Sequence, residues 1–154
     1  MKSVCATAAA AFAADQATKA AALRAFGGGG HVTLVPGALD LRLVLNRGAA
    51  WGMLAGRRWL LCAVSAAMLA LLVANRRELC ATRLGRLATG LLAGGILGNL
   101  ADRALRGGLV VDWIDVHWRA VWSFPVFNAA DTCISVGVAL LLAASCLPWF
   151  RARR

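Results

Sequence analysis

The apolar residues of this 154-residue chain gather into runs close to 20 residues long, and that length is the strongest constraint on its fold. A helix rises about 1.5 Å per residue, so about 20 apolar residues cross the roughly 30 Å of hydrocarbon in a bilayer. The runs cover about residues 4–26, 59–75, 87–106 and 129–149. Apolar residues make up 60% of the chain, against about 45–50% in soluble domains. The pattern predicts a single integral membrane domain over residues 1–154, an all-α membrane protein of four transmembrane helices.

The charge, +10 at neutral pH, fits that architecture by its placement. Arg76, Arg77, Arg83 and Arg86 lie between the second and third runs, and Arg151, Arg153 and Arg154 follow the fourth. Short arginine-rich loops stay in the cytoplasm. Both termini are therefore expected to be cytoplasmic, with segments 27–58 and 107–128 outside and membrane lipids as the surrounding partner. Arg57 and Arg58 fall on the outer side and weaken the asymmetry without reversing it. No nucleic acid is expected, because no binding motif accompanies the charge.

Met1-Lys2, the alanine-rich stretch and Ala11-Phe12-Ala13 resemble a cleavable secretory signal. The apolar segment resumes after Asp15, however, so an uncleaved first span is expected. Cys5, Cys62, Cys80, Cys133 and Cys146 are odd in number and lack metal-type spacing, which makes them small apolar residues. In the third run, Gly90, Gly94, Gly95 and Gly98 permit close helix contact. In segment 27–58 a flexible Gly27–Gly30 joint precedes strand-like alternation over 39–43, which predicts a small sheet on the outer face. Trp113, Trp118 and Trp122 in segment 107–128 suit an interfacial belt.

Against this apolar background the ionisable residues stand out. Asp112 lies in Val-Val-Asp-Trp and Asp131 at the mouth of the fourth run. A carboxylate in or near hydrocarbon costs roughly 2.5–3.5 kcal/mol and marks a functional site by default. Two at the same membrane face suggest a shared acid–base task. Two close carboxylates do not both ionise easily and share a proton. Asp112 is the better candidate for the protonated partner, and Asn128 is a candidate oxyanion donor. The alternative for the fourth run is purely structural: Asn128 caps the helix and the helix dipole favours Asp131.

Asp15 and Lys19, four apart, share a helix face, as a stapling pair or as functional groups. Asn46-Arg-Gly48 suits a turn that exposes backbone amides to an extended peptide, or an ordinary loop. Asn99, Asp102 and Arg103 share a face at the end of the third run, where Asp102 and Arg103 could offset each other.

Taken together, Asp15-Gln-x-x-Lys19, Asn46-x-Gly48-Ala-Ala-Trp-Gly, Gly98-Asn99-x-x-Asp-Arg103, Val110-Val-Asp112 and Phe127-Asn128-x-Ala-Asp131 resemble lipoprotein signal peptidase (signal peptidase II). The resemblance runs through nearly the whole chain in family order. It implies an intramembrane aspartic endopeptidase of the bacterial inner membrane, with its active site near the extracytoplasmic face. The enzyme removes the signal peptide of diacylglyceryl-modified prolipoproteins immediately N-terminal to the lipidated cysteine. By this resemblance Asp112 and Asp131 are the catalytic pair, and Asp15, Lys19, Asn46, Gly48, Asn99, Arg103 and Asn128 are supporting or substrate-binding. No cofactor or metal is implied, and inhibition by the cyclic peptide globomycin is. An extracytoplasmic β-element and a short interfacial helix are expected in segments 27–58 and 107–128.

Two departures stand out. Gly107-Gly108 puts one more residue between Asp102 and Asp112 than the family pattern expects, so that Asp115 or Asp102 competes with Asp112 for the catalytic position. Trp51 stands where phenylalanine is commoner. The same carboxylates would also serve a small proton-coupled transporter, whose ionisable groups would be spread across membrane depth.

Overall fold

Leucine- and alanine-rich runs flanked by arginine form the helices, as their propensity dictates. The computed structural model describes residues 1–119 and 121–146. In chain order these are α1 (Lys2–Phe26), β1 (His31–Val35), β2 (Leu39–Asn46), a 3-10 turn (Ala50–Gly52), α2 (Arg58–Ala74), α3 (Arg76–Leu79), α4 (Arg83–Leu105), β3 (Val110–Trp118), β4 (Trp122–Ser123) and α5 (Ala129–Cys146). Helices thus lie over all four expected runs. The tail of the fourth run, 147–149, and Arg151, Arg153 and Arg154 lie outside the described residues.

Helix α4 organises the rest. Thr82 caps it, its hydroxyl accepting from Gly85 N at 2.9 Å, and α1, α2 and α5 all pack against it. Its glycines set the approach on two faces. A Cβ at Gly94 would lie 2.6 Å from the Ala8 carbonyl oxygen of α1, and one at Gly95 would lie 2.5 Å from the Ala130 carbonyl oxygen of α5. Among the described residues, α4 is the one helix long and apolar enough to cross a membrane; α2 and α5 are apolar but shorter. The 25-residue α1 is long enough but is interrupted by Asp15 and Lys19, and it buries both.

Segments 27–58 and 107–128 build more sheet than their alternation suggested. Four antiparallel strands run in the order β1-β2-β3-β4. β2 continues past the expected residue 43 to Asn46, and a register shift between Leu41 and Val44 brings Val44 opposite Asp112. Segment 107–128 contributes β3 and β4, and between the long helices these two segments hold, among the described residues, one three-residue 3-10 turn at Ala50–Gly52. Gly107 (φ 66) and Gly108 (φ 92) form the left-handed turn that reverses the chain from α4 into β3. Of the three tryptophans expected at an interface, Trp118 and Trp122 are 61% and 52% exposed and Trp113 is half-buried. Trp51, exposed on the 3-10 turn, meets the Phe124 ring edge-on at 6.2 Å, so the aromatic ring at this position touches the other outer segment.

Candidate active site

Two elements carry the central acids. β3 enters the core at Val110 and Val111 and places Asp112, 2% exposed, against the first turn of α5. That turn is held by a reciprocal cap. Asn128 Oδ1 accepts from Asp131 N at 2.9 Å, and Asp131 Oδ2 accepts from Asn128 N at 3.2 Å. The Asn128 amide also donates to Asp112 Oδ1 at 2.7 Å. One fully buried asparagine therefore bonds to both acids. The capping alternative and the site alternative are the same structure.

Asn128 has no donor left for substrate. Its Nδ2 group also faces Asn99 Oδ1 at 3.1 Å and the Val111 carbonyl at 3.3 Å. In this geometry Asn128 offers no unbonded donor to an oxyanion and instead bonds to both acids. Asn46 on β2 completes the grip on Asp112, donating to Oδ2 at 3.0 Å while its own Oδ1 accepts from Gly48 N at 2.8 Å. Burial, followed by the nearby Asp131 charge, pushes the Asp112 carboxyl up to about 7, against the opposing pull of the Asn46 and Asn128 hydrogen bonds.

Beneath the pair, Lys19 is fully buried with three oxygen acceptors: Asp15 Oδ2 at 2.9 Å, Asp102 Oδ2 at 3.0 Å and Asn99 Oδ1 at 2.9 Å. Each acceptor reaches an acid-bearing element. Asp15 Oδ1 accepts from Ala130 N of α5 at 2.9 Å, Asp102 Oδ2 from Val111 N of β3 at 3.1 Å, and Asn99 Nδ2 donates to Asp131 Oδ1 at 2.8 Å. The stapling pair of the sequence is thus the base of the site.

Asp102 and Arg103 do not offset each other. Asp102 pairs with Lys19 and with Arg106, whose Nε lies 3.1 Å from Oδ1. Arg103 instead donates to the Gly48 carbonyl at 3.2 Å and ties the 46–48 turn to α4. Gln16 was missed from sequence. Its amide lies 3.1 Å from Asp15 Oδ2 and 3.3 Å from Asp102 Oδ1, and its place between Asp15 and Lys19 was the available signal.

Asp115, the rival of Asp112 on β3, points to the other sheet face, where Arg42 Nε pairs with its Oδ2 at 2.5 Å. Directly across the strands lies Asp40. His117 faces both acids, with Nδ1 3.8 Å from Asp115 and Nε2 3.9 Å from Asp40. Asp40, Asp115 and His117 offer one ligand atom each within 4.8 Å of one another, the one arrangement among the described residues with metal-like spacing. Arg42 already occupies part of it, and it is separate from the Asp112–Asp131 centre.

The chain matches the family model described as signal peptidase (SPase) II over residues 7–147. A lipoprotein signal peptidase of Syntrophomonas wolfei is 44% identical over 130 residues, covering 83% of this chain and 82% of the relative. One from Symbiobacterium thermophilum is 43% identical over 112 residues, 72% of each chain. One from Geobacillus thermodenitrificans is 41% identical over 135 residues, 87% of this chain and 83% of the relative. In structure the chain is similar to a bacterial membrane enzyme solved in meso at 1.9 Å, with a TM-score of 0.82, 30% identity and coverage of 95% of this chain and 94% of that one.

Proposed function

This chain belongs to the signal peptidase II family, the aspartic peptidases that cleave signal peptides from prolipoproteins, and on that premise we propose that Asp112 and Asp131 are its catalytic dyad. The observation that carries the assignment is Asn128, which donates to Asp112 and exchanges hydrogen bonds with Asp131. Asp131 stands at the start of α5, where the helix dipole favours a carboxylate. Asp112, with its carboxyl near 7, is the partner that holds the shared proton.

In this mechanism Asp131 takes a proton from a water molecule as the water attacks the scissile carbonyl. Asp112 donates its proton to the carbonyl oxygen. When the tetrahedral intermediate collapses, the proton held on Asp131 passes to the leaving amine and Asp112 recovers its own. Lys19, Asp15, Asn99, Asn128 and Asn46 position the pair, and Asp102, which the sequence offered only as a rival of Asp112 or a partner of Arg103, joins them. Arg103 fixes the 46–48 turn beside the acids through the Gly48 carbonyl.

The substrate is a prolipoprotein with a diacylglyceryl cysteine, and the cut falls immediately N-terminal to that residue. Its acyl chains remain among the membrane lipids, which requires the acids to lie near one membrane surface. We place the chain in the bacterial inner membrane as one multi-pass domain with four spans, both termini cytoplasmic and the sheet outside. The buried groups Asp15, Lys19, Asp102 and Asp112 gather in one cluster with Asp131 rather than spreading through membrane depth, and the transporter alternative finds no support.

The test is a gel-shift assay with purified protein and a diacylated prolipoprotein, with and without globomycin. Wild type cleaves and globomycin blocks it. D112N and D131N each lower cleavage by at least about 10³-fold, while both still fold and insert. Undiminished turnover in either variant removes that residue from the dyad.

A further inference from the structure

At the end of the helices remote from Asp112 and Asp131, the start of α1, α3 and the first turn of α4 border an open recess of about 560 Å³. Lys2, Arg76, Arg77 and Arg86 line it together with Ser3, and no acidic residue does so among the described residues. Four positive charges that face one cavity repel one another and favour an anion between them.

Two of the guanidinium groups are fixed by backbone. Arg86 donates to the Cys80 carbonyl at 3.2 Å, and Arg76 donates to the Val73 carbonyl at 3.1 Å. Each bond uses one terminal nitrogen of a group with five N–H donors, so most of the fork stays available. The first turn of α1 reaches the same recess, and Met1 at its cap position supplies no side-chain acceptor. That helix start adds roughly half a positive charge.

We propose that this recess is a binding site for a phosphate oxyanion, supplied by the phosphodiester headgroup of an anionic membrane lipid. Arginine forks match phosphate oxygens in pairs. The volume falls within the roughly 300–1,000 Å³ of small-molecule sites. Basic pockets between membrane helices bind such headgroups. A loop that is basic only to set orientation needs no cavity. Arg83 shows the contrast, being exposed in the same region but not lining the recess.

Purified full-length protein in neutral detergent is titrated with phosphatidylglycerol, phosphatidylcholine or inorganic phosphate. Bound lipid is counted by native mass spectrometry, and the unfolding midpoint is followed in parallel. Phosphatidylglycerol is expected to bind and to raise the midpoint, whereas phosphatidylcholine does neither. An arginine near a membrane surface is worth roughly fivefold in affinity for anionic lipid, so R77Q/R86Q binds roughly thirtyfold more weakly. R83Q binds like wild type. R77Q alone, which removes no bond to the backbone, gives the roughly fivefold loss if the double variant fails to fold. Inorganic phosphate reproducing the full midpoint rise, with the same sensitivity to R77Q, assigns the site to the free anion. The proposal is overturned if phosphatidylcholine binds equally, if R83Q weakens binding as much as R77Q, or if R77Q/R86Q binds unchanged. D112N retains the lipid, so this result is independent of the catalytic assignment.

Discussion

Asp112 keeps its proton in the folded protein at pH values where the unfolded chain has lost it. Its folded value is about 7, against about 4 for a solvated aspartate. Between those values the folded state binds more protons than the unfolded state, so stability falls as pH rises. The favourable contribution is fully present below about pH 4 and is lost by the time pH passes about 7. Thermal unfolding in detergent is expected to show a lower midpoint at pH 8 than at pH 5 for wild type, and a much smaller difference for D112N. Equal pH dependence in the two proteins would show that Asp112 is not the group titrating. The same proton is needed by the mechanism, so kcat/KM in the free enzyme should decline above about pH 7. The sequence made Asp112 and Asp131 conspicuous because carboxylates are rare in apolar runs. It did not fix the choice between Asp112 and Asp115, because strand register decides which face each takes. The register shift before Val44 brings Asp112 to Asn46 and leaves Asp115 to Arg42.

At the scale of elements, the site depends on how α1, α4, β3 and α5 are tied together, and Lys19 is the knot. Its ammonium bonds to Asp15, Asp102 and Asn99, and these in turn hold Ala130 N, Val111 N and Asp131. Removing one member of a buried ionic group leaves the others uncompensated and costs about 3–5 kcal/mol. K19M is therefore expected to lose stability by that amount and to lose cleavage with it. K19M/D102N, which removes one stranded carboxylate, should recover part of the stability but little of the activity, because Asn99 and Asp15 still lack their anchor. If K19M unfolds like wild type in a denaturant titration, the ammonium is not holding these elements. The spacing of Asp15 and Lys19 made their pairing legible. Nothing in the spacing made Asp102 legible as their third partner, since that contact spans 83 residues of chain and depends on α1 and α4 approaching closely over small residues. β1 was hidden for a different reason. His31-Val-Thr-Leu-Val35 is rich in β-formers, but every residue of it is exposed and it follows directly on the Gly27–Gly30 joint, so no buried face marks it.

For the whole molecule, the paired acids and the basic recess lie at opposite ends of the helices, and the orientation of that axis would decide how a prolipoprotein reaches the proposed dyad. α1 and α4 run in the same sense along it, Ala8 meeting Gly94 and Lys19 meeting Asp102, because α2 brings the chain back between them. With four spans and cytoplasmic arginines, Cys80 between α3 and α4 faces inward and β1 faces outward. Cys80 is free and partly accessible, and Val32 on β1 is 48% exposed. In a background with the other cysteines replaced, a membrane-impermeant maleimide applied to intact spheroplasts should label V32C at once. Cys80 should react only after the membrane is opened. Labelling of both from one side would contradict the four-span arrangement, because an odd number of crossings separates the two positions in it. Labelling of Cys80 alone would invert the protein and put the acids at the cytoplasmic surface. A prolipoprotein whose lipidated cysteine lies at the outer surface would then have to carry its scissile bond through the hydrocarbon to reach them. The outward assignment avoids that cost. In that proposed orientation the diacylglyceryl chains would stay among the lipids, and the peptide would travel only as far as the Asp112–Asp131 pair.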